Sequence, residues 1–222
     1  MKLNIVRLGK TDYLDALRIQ EALLEKRQNN IIENTLLIVE HYPVLTIGIS
    51  GKADNIIASR DHLEKNGIKV YQTTRGGDVT YHGPGQIVGY PVIDLKNIHK
   101  GVKDFIILIQ EVFIRLLKNE YNIEAEREEG KYTGVWTGGD KITAIGIAVK
   151  KWVTMHGFAF NINTNLDHFR WINPCGITDK GVTSLEKLTG EKQDFDHLND
   201  LTAKYFCEVF GFKEIPAKLE EL

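Results

Sequence analysis

The chain has few of the residues and patterns that define several common protein classes. Its 222 residues include two cysteines, Cys175 and Cys207, too few for a disulfide-rich secreted scaffold. No Cys-x-x-Cys or His-Glu-x-x-His spacing occurs, so we expect neither a structural nor a catalytic metal. The longest apolar runs, such as 105–109, are far too short to span a bilayer, and the first residues lack the apolar stretch of a secretory signal. We therefore expect a cytoplasmic protein with free thiols and no membrane contact.

Charge of one sign is not in excess either. The 28 Lys and Arg residues face 30 Asp and Glu residues, which gives a net charge of −2. Domains that bind nucleic acid are typically strongly basic, so we do not expect a nucleic-acid partner. With 42% hydrophobic and 26% charged residues, the composition is that of an ordinary globular protein. The length favours one domain over residues 1–222.

Glycine, by contrast, is concentrated in one segment. Arg75 to Gln86 contains four glycines and a proline in twelve residues. Glycine is used where the backbone needs a positive φ or must approach another group closely, so we predict a non-regular loop whose amides face a ligand. The spacing matches neither G-x-G-x-x-G nor G-x-x-x-x-G-K-[ST], and the sequence therefore gives no indication of a nucleotide site.

Hydrophobic periodicity predicts helices on either side of a series of strands. Apolar residues at helical spacing predict a long helix from Val102 to about Tyr121. A first helix from Thr11, as N-cap, to about Asn30 and a closing helix over Asp196 to Phe210 complete the set. We interpret Glu124 to Lys131 as a solvated loop. Predicted strands cover 35–39, 44–49, 68–72, 87–95, 134–137, 142–149 and 152–163.

These elements predict an α+β fold with a mixed, largely antiparallel β-sheet and helices on one side. Within the last predicted strand, the apolar phase changes at His156 and Gly157. Such a change indicates a β-bulge, and bulges often redirect side chains near functional sites.

Two residues could carry nucleophilic or basic chemistry. Cys175 lies between Pro174 and Gly176 and is either an activated nucleophile on a sharp loop or a small buried hydrophobe. Lys141 opens a strand of Ile, Ala and Gly residues and either extends to solvent from the strand end or lies in a pocket. Cys207 has aromatic and aliphatic neighbours on the last helix, which favours core packing.

The remaining polar candidates leave alternatives open. His82 or His156 could act as the base for Cys175, bind substrate, or only hold a loop. Arg75 could bind an anionic group or pair with a carboxylate inside the fold. The other histidines resemble ordinary surface or loop residues: His41, His62, His99, His168 and His197.

Several separate segments resemble the lipoyl(octanoyl) transferases. The glycine-rich segment and the residues after it, 75–91, are similar to the signature of that family. Agreement extends, in the same order along the chain, to about Leu188. The other matching segments are Glu40-His41-x-Pro43-Val44-x-Thr46-x-Gly48, Lys141-Ile142-x-Ala144-Ile145-Gly146-Ile147, Val153-Thr154-Met155-His156-Gly157-Phe158-Ala159 and Asn173-Pro174-Cys175-Gly176.

The resemblance implies a fold shared with the catalytic modules of biotin protein ligase and lipoate-protein ligase. It implies that octanoate moves from octanoyl-acyl carrier protein to the acceptor lysine of a lipoyl domain, without a cofactor. Cys175 would form the acyl thioester, and Lys141 would complete a Cys/Lys dyad. The implied substrate-binding residues are Arg75, Gly76, Gly77, Asp78, Val79, Thr80, Tyr81, His82, Ala144, Ile145, Gly146, Gly157, Phe158 and Ala159.

The implied acceptors are lipoyl domains of 2-oxoacid dehydrogenase complexes and the H protein of the glycine cleavage system. Because both protein partners are expected to be acidic where they dock, we predict a local basic patch that includes Lys131, Lys150 and Lys151. Three alternatives to this function stay open: an ATP-dependent lipoate-protein ligase, an amidotransferase acting between lipoyl domains, and a non-catalytic binding module.

Overall fold

The computed structural model describes residues 1–173 and 180–222, in which two β-sheets are flanked by helices. The strands are β1 (Lys2–Thr11), β2 (Asn34–His41), β3 (Val44–Ile47), β4 (Lys69–Gln72), β5 (Val79–His82), β6 (Gln86–Val92), β7 (Glu126–Glu128), β8 (Gly134–Thr137), β9 (Asp140–Lys150), β10 (Val153–Asn161) and β11 (Lys213–Pro216). The α-helices are α1 (Tyr13–Gln28), α2 (Arg60–Lys65), α3 (Val102–Tyr121), α4 (Leu185–Thr189) and α5 (Phe195–Phe210).

The larger sheet has eight strands in the order β11-β1-β2-β6-β10-β9-β8-β7. Its two parallel pairings, β11 with β1 and β1 with β2, lie at one edge, and the other five are antiparallel. The smaller sheet has the order β4-β3-β5 and supports the glycine-rich segment. The structure thus confirms the predicted α+β class with a mixed, largely antiparallel sheet.

Helices cover both faces of the larger sheet, so the prediction that they lie on one side is wrong. Along β2, Leu36 and Ile38 point into a core shared with α3 and α5, whereas Leu37 and Val39 point into a core shared with α1. Successive strand residues face opposite sides, so both sides need cover when both are apolar. The central strands β6 and β10 are accordingly buried throughout.

Local signals determine where the helices begin and end. The apolar stripe of α3 gives the predicted bounds, and Asn122 closes the helix in the left-handed conformation. Helix α1 begins one residue later than predicted because Thr11 ends β1. Asp12 is the N-cap, and its carboxylate accepts a hydrogen bond from the Leu14 amide at 2.9 Å.

Three further predictions are corrected. The glycine-rich segment is not wholly irregular, because its residues Val79–His82 form β5. The predicted loop at Glu124 to Lys131 contains β7 and enters the 3-10 helix Gly130–Tyr132. No register shift occurs between β9 and β10, so the predicted bulge is absent from that pairing.

The change of phase in β10 has a different cause. His156 has a φ of +55°, and its amide donates to Oε1 of Gln20 on α1 at 2.9 Å. Because both faces of β10 are buried, its sequence needs no alternation of apolar and polar residues. Within the described residues, none of the helices has the length and apolar character needed to cross a membrane.

Candidate active site

A cavity of about 1070 Å³ lies between the glycine-rich segment and the central strands of the larger sheet. Its extent can be judged along β9, where Lys141 is six residues from Ile147, the cross-strand partner of His156. At about 3.4 Å per residue, this part of the wall is about 20 Å long. The cavity is therefore elongated along β9.

The glycine-rich segment forms one wall through close backbone packing. The Gly76 amide donates to the Ile147 carbonyl at 2.9 Å, which attaches the segment to β9. A Cβ on Gly48 would lie 2.2 Å from the Gly77 carbonyl oxygen, and one on Gly146 would lie 2.6 Å from that of Gly76. Glycine is required at these positions because no side chain fits between the two backbones.

Arg75 holds this segment in shape from within. The buried guanidinium donates to the Thr46 carbonyl at 2.7 Å, to the Thr46 hydroxyl, and to the carbonyls of Gly76 and Asp78 at 3.0 and 2.6 Å. Its guanidinium thus binds backbone carbonyls and a hydroxyl. These bonds connect the segment to β3 beside it.

We use the term histidine cluster for His41, His82, His156, Tyr13 and Tyr90. All five side chains are buried, and all except His41 line the cavity. His41 accepts from the Tyr90 hydroxyl at Nε2 (2.7 Å) and donates from Nδ1 to the Thr11 carbonyl (2.9 Å). The prediction that His41 is an ordinary surface or loop residue is therefore wrong.

Burial keeps the histidine cluster uncharged. Desolvation lowers the pKa of His41 and of His156 to about 4, and that of His82 to about 3. The same effect raises the pKa of Tyr13 to about 12 and places that of Tyr90 well above its usual range. At neutral pH this part of the wall therefore carries polar nitrogen and oxygen atoms but no net charge. Such a wall suits an apolar ligand that makes few polar contacts.

Lys141 lies at the start of β9, half-buried in the cavity wall. Its ammonium donates to the Thr133 carbonyl at 3.2 Å and lies 4.8 Å from the centre of the Trp136 ring. Its backbone pairs with the chain at Val182: the Lys141 amide donates to the Gly181 carbonyl, and the Thr183 amide donates to the Lys141 carbonyl.

Cys175 lies outside the described residues, as do the others from 174 to 179. The described residues on each side of that segment are anchored. Ile172 pairs with Ile56, and the Asn173 amide donates to the Asn55 carbonyl at 2.7 Å. On the other side the chain pairs with Lys141 through residues 181–183. Ile172 and Lys180 both line the cavity.

The structure brings most of the other predicted site residues to this cavity. Tyr81 lies instead in the core below the smaller sheet and is fully buried there. Cys207 is buried on α5, as predicted, where desolvation raises the pKa of its thiol to about 11. The predicted residues that line the cavity are Arg75, Gly76, Gly77, Asp78, Val79, Thr80, His82, Lys141, Ala144, Ile145, Gly146, Gly157, Phe158 and Ala159.

Four basic residues at the cavity form what we call the basic rim: Lys131, Arg170, Lys180 and Lys187. Three of them have acidic neighbours, with Lys180 2.6 Å from Glu128, Lys187 3.4 Å from Asp140 and Arg170 3.5 Å from Asp167. Of the basic residues that the sequence suggested, Lys131 is part of this rim. Lys150 and Lys151 lie instead at the turn between β9 and β10.

Sequence reasoning did not single out several cavity residues. Tyr13 carries no motif, and its position depends on how α1 packs on the sheet. Gln86 and Asn161 had a usable signal, since each is a polar residue at one end of a mainly apolar strand whose faces are both buried. Such a residue needs a hydrogen-bond partner, which makes it a candidate for a structural or functional role.

Known proteins resemble this chain along almost its whole length. The model of the lipoyl protein ligase A/B catalytic domain matches residues 12–207. The octanoyltransferase of Caldicellulosiruptor saccharolyticus is 61% identical, over 96% of this chain and 91% of the relative. That of Caldicellulosiruptor bescii is 56% identical, over 95% of this chain and 92% of the relative.

Solved structures share the fold at much lower identity. A lipoate-protein ligase A bound with ATP is 18% identical, with a TM-score of 0.78 over 100% of this chain and 92% of that one. The biotin protein ligase of Aquifex aeolicus is 14% identical, with a TM-score of 0.54 over 95% of this chain and 69% of that one. The predicted likeness to both kinds of ligase module is thereby confirmed for the fold.

Proposed function

We propose that this chain, which belongs to the family of lipoyl protein ligase A/B catalytic domains, is an octanoyltransferase of protein lipoylation. The observation that carries the proposal is the 61% identity to a curated octanoyltransferase over nearly the full length of both chains. The cavity supports it independently, because its central walls combine apolar residues with backbone and neutral polar groups.

In the proposed reaction, octanoyl-acyl carrier protein presents its thioester at the cavity. The thiolate of Cys175 attacks the thioester carbon, the carbon–sulfur bond to the carrier breaks, and the carrier leaves as a thiol after taking up a proton. An octanoyl-cysteine thioester remains. The amine of the acceptor lysine then attacks that carbon, Cys175 leaves, and an amide is formed. This exchange of a thioester for an amide needs no nucleotide.

Lys141 is proposed to move protons in both steps. It accepts the Cys175 proton before the first attack, passes that proton to the leaving carrier thiolate, and accepts the proton of the acceptor amine in the second step. Two features of the described residues support this role: Lys141 lines the cavity, and its backbone pairs with residues 181–183, close in sequence to Cys175. Backbone amides near Gly146 are proposed to hold the developing oxyanion.

The octanoyl chain is proposed to occupy the part of the cavity beside the histidine cluster. Burial contributes about 0.8 kcal/mol per CH₂ group, so seven carbons supply roughly 5 to 6 kcal/mol before the cost of ordering the chain. Uncharged histidines matter here because a charged group beside the alkyl chain would have to be desolvated. The proposed contacts come from the glycine-rich segment, from Ala144 to Gly146, and from Gly157 to Ala159.

The proposed acceptors are lipoyl domains, including those of 2-oxoacid dehydrogenase complexes and the H protein. Cavity residues of the basic rim can attract an acidic carrier or acceptor, although the net charge of the chain is −2. An ATP-dependent ligase on the same fold remains the second candidate, because a lipoate-protein ligase A with bound ATP shares the fold.

A donor-exchange assay distinguishes the two functions. The chain is mixed with an apo lipoyl domain and either octanoyl-acyl carrier protein without ATP or free octanoate with ATP. The transferase proposal predicts octanoylation from the carrier alone, lost in Cys175→Ala and retained in Cys207→Ala. Octanoylation only from free octanoate and ATP contradicts the proposal and favours the ligase.

A further inference from the structure

A line of buried amide side chains crosses the sheet beside the cavity. Asn161, at the end of β10, is opposite Gln86 of β6 in the strand register, and both line the cavity. Asn161 is 4% exposed and Gln86 is 1% exposed, so each needs internal hydrogen-bond partners. None of the roles assigned above uses either side chain.

The partners determine which way the two amides point. Asn161 Nδ2 donates to the Thr183 carbonyl at 3.0 Å, and Asn161 Oδ1 accepts from Gln86 Nε2 at 2.8 Å. Gln86 Nε2 also lies 3.3 Å from the Tyr81 carbonyl, and Gln86 Oε1 lies 2.8 Å from His82 Nδ1. Because carbonyl oxygens only accept, the amide nitrogens must face Thr183 and Tyr81, and the His82 proton must be on Nδ1.

This line ends on the short segment that pairs with Lys141. The Lys141 backbone bonds to Gly181 and Thr183 at 3.0 and 2.9 Å, and the Asn161 amide holds the Thr183 carbonyl. Residues 181–183 are therefore fixed from two strands, by the backbone of β9 and by a side chain of β10.

We infer that Asn161 is a positioning residue of the transfer reaction, which acts through residues 181–183 on the placement of Lys141 in the cavity wall. This inference rests on the proposed function, since it assumes that Lys141 and Cys175 act together. Asn161 makes its contribution with the Nδ2 donor, because that group holds the Thr183 carbonyl. Removing the donor while keeping the size of the side chain should therefore impair the reaction.

Asn161→Asp removes the Nδ2 donor of Asn161 while keeping the volume of the side chain nearly unchanged. An ionised aspartate has nearly the same shape and still accepts from Gln86, but it has no donor for the Thr183 carbonyl and adds one negative charge. Asn163→Asp is the matched control. Asn163 lies two residues away, donates from Nδ2 to the Gln193 carbonyl at 2.9 Å and accepts from the Gln193 amide at 2.9 Å.

The first measurement is the pH dependence of Cys175 alkylation by iodoacetamide, assigned to the Cys175 peptide, in the full chain. Misplacement of a reacting group by about 1 Å typically costs about 100-fold in rate. We expect Asn161→Asp to move the alkylation profile to higher pH and to lower kcat by about 10- to 100-fold, with KM nearly unchanged. Asn163→Asp should retain the wild-type profile and kcat.

The outcomes separate this inference from the function on which it rests. An Asn161→Asp profile and kcat equal to those of Asn163→Asp overturn the positioning role while leaving the transferase intact. Wild-type transfer that persists in Cys175→Ala overturns the proposed mechanism and with it this inference. Should Asn161→Asp not fold, Asn161→Ser is compared with Asn163→Ser in the same two assays, under the same criteria.

Discussion

The histidine cluster and the basic rim lie at one cavity but differ in how their polar groups are stabilised. In the cluster, neutral side chains are buried, and His41 is hydrogen-bonded both to the Tyr90 hydroxyl and to the backbone carbonyl of Thr11. In the rim, charged side chains such as Lys187 and Arg170 are exposed beside single carboxylates. The first arrangement is buried and uncharged, and the second is charged and screened by solvent.

This difference suggests a division of labour. Exposed ion pairs typically contribute 0 to about 1 kcal/mol, so the rim affects the attraction of partners more than the stability of the fold. A buried polar group that loses its hydrogen-bond partner costs about 1 to 3 kcal/mol of unfolding free energy, so the cluster affects the stability of the fold. Lys141 belongs to neither set, since it is half-buried against Trp136 and paired by its backbone with residues 181–183.

The largest effect is expected when Lys141 is compared with a lysine of the rim. Lys141→Ala should lower kcat/KM by about 10²- to 10⁴-fold, the usual contribution of a general base. Lys187→Ala should change it by less than about tenfold, because that side chain is exposed and serves only attraction. Steady-state octanoyl transfer measures both. Equal losses of kcat/KM in the two variants would contradict a catalytic role of Lys141 that the rim lysines do not share.

Acid should destabilise the cluster before it affects the rim. The pKa of His156 is about 4 in the folded chain and near 6.5 when unfolded, so the unfolded chain binds more protons between these values. The stabilisation is fully present above pH 6.5 and is lost as the pH falls towards 4, by about 3 kcal/mol. His156→Asn, which tolerates the positive φ, should reduce this loss.

Urea unfolding at pH 7.5, 5 and 4 measures that pH dependence. His62→Asn on α2 is the control, because His62 is exposed and should leave the dependence of the wild type unchanged. A pH dependence in His156→Asn as steep as that of wild type would contradict the assignment of His156 to the acid-sensitive cluster.

A smaller effect is expected from one hydroxyl of the cluster. Tyr90→Phe leaves His41 Nε2 buried without its donor, which should cost about 1 to 3 kcal/mol of unfolding free energy. Tyr42→Phe, at an exposed tyrosine, should cost almost nothing. Urea unfolding at pH 7.5 measures both variants, and a Tyr90→Phe as stable as Tyr42→Phe would mean that this hydrogen bond contributes little.

The smallest effect is expected from the rim. Added salt should lower kcat/KM for the carrier-bound donor, and Arg170→Ala should make this dependence shallower, with a loss of a few-fold at low salt. Lys150→Ala, at the turn between β9 and β10, should leave the dependence unchanged. Kinetics that do not vary with ionic strength would exclude an electrostatic role of the rim.

Local patterns made a large part of this fold predictable. The stripe of α3 gave its bounds at Val102 and Tyr121, and β8 was predicted at Gly134–Thr137, as observed. In contrast, β1 and β11 were not predicted. These two strands pair with each other although their partners, such as Lys2 and Lys213, are about 200 residues apart in sequence. No local pattern records such a pairing.

The site was predictable where a motif marks it and not where burial creates it. The glycine-rich segment and the strands beside it were found from their residues and from the resemblance to a family. The burial of His41 was missed because it depends on Tyr90 and on the Thr11 carbonyl, 49 and 30 residues away. The link from Asn161 to Thr183 likewise becomes visible only when β10 and residues 181–183 are placed together.

The most direct test of the account is the intact mass of the full chain after mixing with octanoyl-acyl carrier protein in the absence of ATP. We predict one octanoyl adduct on the wild-type chain and on Cys207→Ala, none on Cys175→Ala, and discharge of the adduct when an apo lipoyl domain is added. A wild-type chain that transfers octanoate without forming an adduct, or an adduct retained in Cys175→Ala, would contradict the proposed thioester mechanism.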